Sequence, residues 1–436
     1  MINIFVPIAR LSILPMLMFA AHTAYAATTI VYPTGVSPTD IQNVQTAVSA
    51  GGNILLKATN QAGKATSFNF GNWNANTSIP VGADVVLTNN AAICGETVGA
   101  NKTTITGGVY PFYEDVTSVK TSIAGIKFVN PQGAAIELFR SNGISITNCE
   151  IAGVLPFLND AGVTDSSGIY VIGLSNTTVT GPVVISGNYI HGLDGQDEFG
   201  IQLNSVESAM TIAGNTIVIG DATDAAASQV NSTGIVDYDS TGAALISGNF
   251  VSVGSGVCFN AIAVHGPATG VINIIGNEVT VPESAICYNG IEITGATGAA
   301  MILANSIVSD SPYTAPIALV GEASQGGNVS NVTISLNAID VENSNFGAIT
   351  LLGAVAKSSI SLNLITGESA YGISAETDYT PTDLIASNTF LSNLFFSYKA
   401  ADATVFFDTT TSKNIFLGPY TTVINKGSGN TIIKGL

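Results

Sequence analysis

The stretch ISGNYIHGLDGQDEFGIQLN, residues 185–204, carries two patterns that decide the fold. Its first six residues read apolar, two spacers, Asn, one spacer, apolar. The same pattern returns as IAGNTI (212–217), ISGNFV (246–251), IIGNEV (274–279), ILANSI (302–307), ISLNAI (334–339), ISLNLI (360–365) and IASNTF (385–390). The asparagines stand at 188, 215, 249, 277, 305, 337, 363 and 388, between 25 and 34 residues apart. Two earlier copies, IAGIKF and ITNCEI, have Ile126 and Cys149 in the Asn place. The last five residues, GIQLN, begin a second recurrent segment, whose leading isoleucines are Ile136, Ile169, Ile201, Ile235, Ile262, Ile291, Ile317, Ile349 and Ile373. Each such segment alternates residue by residue, as a strand with one buried face must.

A unit of this length holding three short strands cannot bury its apolar face alone. Stacked units supply the core, which is the logic of a solenoid. An Asn repeated at one bend can bond to the rungs above and below it. The expected fold is therefore all-β, a right-handed parallel β-helix solenoid with a short N-terminal capping helix. Near absence of helical periodicity inside the units argues against a leucine-rich solenoid, and irregular unit lengths argue against a propeller. For the cap, Ser37-Pro38-Thr39-Asp40 reads as an N-cap Ser, a Pro at the first helical position and an acid three residues on. Ile41, Val44 and Val48 would line one helix face, with Gly51-Gly52 as the stop. NTIIKGL at the other end reads as a closing strand.

Residues 1–26 have the parts of a secretory leader: Arg10, the apolar run LSILPMLMFA and the small-residue site Ala24-Tyr25-Ala26. Residues 27–436 are then one β-helix domain, with a cap over about 27–75 and repeats over about 76–436. The expected location is secreted or periplasmic, without a membrane span, since no later apolar run reaches spanning length. The chain has 12 Lys and Arg against 30 Asp and Glu, and no Lys or Arg occurs between Arg140 and Lys357. Nucleic acid, held by Lys and Arg, is excluded as a partner. Among four cysteines, Cys258 and Cys287 stand nine and ten residues after their repeat asparagines, a register that predicts a bridge between neighbouring rungs. Two histidines beyond the leader, His191 and His265, are too few for a usual catalytic zinc site.

The xIxGNxI units and the opening DIQNVQTAVSAGGNILLK resemble the parallel β-helix proteins of the pectin-lyase-like superfamily over nearly all of residues 27–436. That superfamily holds lyases, glycoside hydrolases, epimerases, tailspikes and non-catalytic surface proteins, so the resemblance implies fold more than function. It also implies that GIQL-type strands floor a groove. Of the pectin-hydrolase motifs, VDYD (236–239) and VHGP (264–267) are partial echoes, and nothing matches NTD or RIK. Lyases of uronate polymers need Arg or Lys as base and clamp, and the candidate cleft has none.

Between repeat bend and groove strand the chain usually takes 10–14 residues, but 20 from Cys149 to Ile169 and 20 from Asn215 to Ile235. Loops 152–167 and 218–233 are therefore expected to wall the rung of Ile201. Asp194, Asp197, Glu198, Asp237 and Asp239 are the candidate carboxyls there, with His265 as a proton carrier one rung on. Tyr170, Gln202, Asn204 and Tyr238 are the candidate substrate contacts. Two carboxyls about 5–5.5 Å apart would retain configuration and about 6.5–9.5 Å would invert it. The expected ligand is a neutral or weakly charged polysaccharide or cell-surface glycan, bound and hydrolysed. No cofactor is required, although the same hard oxygens could hold calcium. The competing reading is a non-catalytic exported scaffold or surface-interaction protein, supported by the groove positions Val236, Ala263 and Ala318.

Overall fold

The computed structural model describes residues 27–71, 84–115, 119–158, 164–173, 179–195, 197–220, 232–254, 256–266, 268–295, 298–321, 327–376, 385–418 and 422–434. The leader expected over 1–26 lies outside them, as do residues 159–163 of the first long loop and 221–231 of the second. No described helix is long and apolar enough to cross a membrane.

Repeat units stack as coils of a parallel β-helix. The segments just before the Asn bend form one sheet of fifteen strands, from Thr28–Val31 to Thr431–Lys434. Every neighbour pair in it is parallel; Ile212, for example, faces Ile185 on one side and Ile246 on the other. Strands after the bend and the groove strands form the second large parallel sheet, joined through long bent strands such as Ala338–Gly353. The isoleucines leading the groove strands fall in one unbroken register from Ile136 to Ile373 and are fully buried. Each buried Ile contributes roughly 1.5–3 kcal/mol of transfer free energy. Stacking identical side chains is what makes the repeat self-sufficient.

The asparagines form a ladder. Asn249 donates its backbone N–H and its amide Nδ2 to Oδ1 of Asn277, at 3.0 and 2.9 Å, and Nδ2 also to the Ile212 carbonyl at 2.9 Å. Its own Oδ1 accepts the same pair of bonds from Asn215. This pattern runs from Asn188 through Asn363 and continues to Asn393, 30 residues further on. Asn388, expected to be the eighth member, instead begins a second ladder at another bend, with Asn414 and Asn430. FLSNLF (390–395) carries the same spacing as the other repeats, so the two motifs overlap in sequence and only the coil geometry separates them.

At the N-terminal end the helix Ser37–Ala50 buries Val44, Ala47 and Val48 and stops at Gly51, whose φ is 72°. Its N-cap is Val36 rather than Ser37. Asp40 does the local capping from within the helix: its carboxylate accepts from the backbone N–H groups of Thr34, Gly35 and Asn69 and from the Thr34 hydroxyl. Cys258 and Cys287 are register partners on adjacent rungs, both fully buried, and they are free thiols, not a bridge. Burial, then the neighbouring Cys287, holds the Cys258 thiol well above its usual range.

Candidate functional site

Outward positions of the groove strands line up in columns. One column reads Tyr113, Glu137, Tyr170, Gln202, Val236, Ala263, Glu292, Ala318. Two residues further along, the next reads Phe139, Ile172, Asn204, Tyr238, His265, Thr294. Alternation puts these side chains opposite the core isoleucines, and parallel pairing stacks them at ~4.8 Å.

Two polar centres stand on this face. The first is built around Glu137, which is 8% exposed and has Tyr113 and Tyr170 as its register partners on the adjacent rungs. Burial pushes its carboxyl up to about 8. Tyr110, Tyr113, Phe139 and Tyr170 form a continuous aromatic run, with ring centroids 6.4, 5.6 and 6.5 Å apart. The Tyr110 phenol is held above its usual range by burial first, then by the charges of Glu137 and Asp165. Tyr170 is pushed up to about 12 by burial and Glu137, against the pull of its hydrogen bond with Asn204. Glu137 and Asp165 therefore act on the same two phenols. Glu137 is not among the sequence candidates, although it directly follows Ile136, a leading isoleucine of the groove strands, and alternation alone puts it on the outward face.

The second centre lies across the strands Thr233–Tyr238, Val257–His265 and Ile286–Thr294. His265 Nε2 is 3.9 Å from Glu292 Oε1, and its ring centroid is 5.2 Å from that of Tyr238. Glu292, 5% exposed, accepts from Asn289 Nδ2 and from the Thr294 hydroxyl. Asn289 also donates to Asn260 Oδ1 at 3.0 Å. Burial lowers the His265 pKa, while Glu292 and then Asp239 pull it back up. Glu292, Asn289 and Asn260 were not singled out from sequence. Between the two centres the floor is apolar: Phe199, Val236 and Ala263 form a small cluster of their own, covered by Tyr238.

The carboxyls proposed from sequence divide. Asp197 is a register partner of Asp165, and its charge, after burial, helps raise the Tyr238 phenol to about 12. Asp239 ends its strand at φ 53° and donates its N–H to the His265 carbonyl. Asp194 is half-buried, with its N–H on the Val154 carbonyl. Gln202 accepts from the Ser167 hydroxyl at 3.4 Å. Glu198 and Asp237, however, do not face the groove. Glu198 is buried and its Oε2 accepts the Gly220 N–H at 2.8 Å. Asp237, 2% exposed, occupies the interior column between Leu203 and Val264, because it follows outward Val236 by one residue. Burial pushes it up to about 7, against a Ser240 hydrogen bond, with Asp239 adding to the rise. Among the described residues no group of three or more His, Cys, Asp or Glu side chains is placed to hold a metal ion.

A cavity of about 730 Å³ lies elsewhere, lined by Thr29, Tyr32, Thr46 and Asn60 beside the capping helix, with no carboxyl or His in its wall. The two polar centres lie on the outward face of the groove strands instead.

No family model matches the chain, and no curated protein matches it with significance. Solved structures do. The A-module of the mannuronan C-5 epimerase AlgE4 of Azotobacter vinelandii is 13% identical, with 90% of this chain and 95% of that one covered and a TM-score of 0.42. The Dettilon tailspike protein is 16% identical, with 92% and 66% covered and a TM-score of 0.41. PfbA, a surface adhesin of Streptococcus pneumoniae, is 12% identical, with 88% and 92% covered and a TM-score of 0.38. At such identities and scores the likenesses carry no functional conclusion. The class follows from this chain's own pairing: it is a parallel β-helix solenoid.

Proposed function

We propose that the outward face of the groove strands binds a neutral or weakly charged polysaccharide and hydrolyses it. The observation that supports this reading is Glu137, a buried carboxyl whose register partners on both adjacent rungs are tyrosines. Rings in a row offer sugar faces apolar area with a polar rim. A carboxyl raised to about 8 is protonated at neutral pH, the state a glycosidic acid requires. Asp165, which acts on the same phenols, is the candidate base.

Release of reducing ends from neutral glycans is the test. Glu137→Gln should lower the rate about 100-fold or more while oligosaccharide binding survives. Tyr170→Ala should weaken binding itself. Wild-type activity should fall as pH rises through about 8, where Glu137 loses its proton. Binding without release by wild-type protein would overturn the hydrolytic half and leave a non-catalytic glycan-binding β-helix. Absence of binding would overturn both halves.

A further inference from the structure

The fifteen-stranded sheet has an outward face that the groove does not use. From Gly52–Leu56 to Thr431–Lys434 each strand turns a central residue inward, such as Ile54, Ile212 or Ile432, and the residue on either side of it outward. One outward column runs Thr211, Leu245, Asn273, Met301, Thr333, Ser359. Over all these strands the outward residues are Ser, Thr, Ala, Asn, Cys or apolar, and none is charged. The other outward faces do carry charge. Lys127, Glu150, Glu278 and Asp340 stand on the strands after the bend, and Glu137 and Glu292 on the groove strands.

The same face is partly apolar and large. Leu245, Met301, Leu391, Ile415 and Ile433 are 36–49% exposed on it. Fourteen strands at ~4.8 Å spacing and about 13 Å of length each give a surface of ~900 Å². A standard-size interface takes about 800 Å² from each partner, and its buried core is depleted of charged residues. Charge and shape then decide which partner fits. With 30 Asp and Glu against 12 Lys and Arg, two copies of this chain repel wherever their carboxylates face one another. On this face they meet none. Its ridges also repeat at ~4.8 Å in both copies, the self-complementarity that a two-fold contact needs.

We propose that the outward face of the fifteen-stranded sheet joins two copies of this chain back to back. The two sheets pack face to face at ~10 Å, with Leu245, Met301, Leu391 and Ile415 burying apolar area between them. The groove strands belong to the other large sheet and stay outside the contact, so each copy keeps its own groove. Nothing in this pairing depends on what the groove binds.

The test is sedimentation of the whole protein from about 0.1 to about 100 µM, since contacts of this size give micromolar affinity or better. Dimers should form, and added salt should strengthen them, because it screens the repulsion between the acidic copies. Met301→Glu and, separately, Thr333→Glu put an unpaired charge into the contact and should weaken the dimer at least about 30-fold. Both positions point outward, so the circular dichroism of the chain should be unchanged. Thr216→Glu, outward on a strand after the bend, should leave the dimer intact. A chain that stays monomeric at about 100 µM overturns the proposal and leaves the face to a partner of another kind. Assembly beyond a dimer, or a dimer that salt dissociates, overturns it too. So does a dimer that Thr216→Glu weakens as much as Met301→Glu does, since the contact then lies on another face.

Discussion

The asparagine bend and the groove strands both bury polar side chains, yet they manage the cost in opposite ways. At the bend every buried group is neutral and paired: Asn277 gives and takes bonds with Asn249, Asn305 and the Ile246 carbonyl. On the groove strands the buried polar groups include acids. Glu114, Glu137 and Asp237 are pushed to about 7, 8 and 7 by burial, with Ser and Thr hydroxyls for partial relief at Glu114 and Asp237. A satisfied amide ladder rigidifies a coil at every pH, whereas a buried acid ties stability to its proton. One region is scaffold. The other holds chemistry against a cost.

Breaking the ladder should have the largest effect. Asn277→Ala strands the N–H of Asn249 and one of its two Nδ2 protons, the other staying on the Ile212 carbonyl, and should cost about 4 kcal/mol at roughly 1–3 kcal/mol per orphaned group. Because stacked repeats open locally, hydrogen exchange is the measurement: protection should fall most in the coils around Asn249 and Asn305. Uniform loss over the whole chain, or none, would contradict the account of a local neutral ladder.

The acids sharpen the contrast through pH. Asp237 has a folded pKa of about 7 against an ordinary 3.8, so its native state holds a proton that the unfolded chain releases earlier. Its contribution is fully present below the unfolded pKa and is lost as pH rises from about 4 to about 7. Glu114 shifts in the same direction. Melting temperature should therefore drop on going from pH ~5 to pH ~8, and Asp237→Asn should remove roughly 2 kcal/mol of that drop. A variant with the same pH dependence as wild type would show that Asp237 is not the buried acid responsible.

The smallest effect lies at the residue before each ladder Asn. That position is left-handed throughout: Gly187, Gly214, Gly248 and Gly276 occupy it early, but Leu336 and Leu362 occupy it later at φ 58° and 56°. A side chain there costs about 1–2 kcal/mol of backbone strain, partly offset by the entropy glycine would lose. Both leucines are exposed, 56% and 52%, so little packing is forfeited by removing them. Leu362→Gly should stabilise the chain by up to about 1 kcal/mol, read from the unfolding midpoint. Destabilisation would mean that these leucines pack on something beyond their own coil.

The stacking register was legible in the sequence because identical side chains recur at one place per coil; Ile201, Ile235 and Ile262 pair as their spacing requires. Glu137 was equally legible from alternation, since it follows the leading Ile136 by one residue, but it stands two rungs before the Ile201 rung that the long loops single out. Composition and repeat spacing by themselves determined the solenoid, the amide ladder from Asn188 to Asn363 and the interval 141–356 without Lys or Arg, since each is read directly along the chain. Which way a carboxyl faces was decided only by tertiary structure. Asp237 and Asp239 are two residues apart and chemically alike, yet one stacks on Leu203 inside the coil and the other turns out beside His265. The strand ends between them, and a left-handed turn at Asp239 breaks the period of two on which every inference from alternation depends.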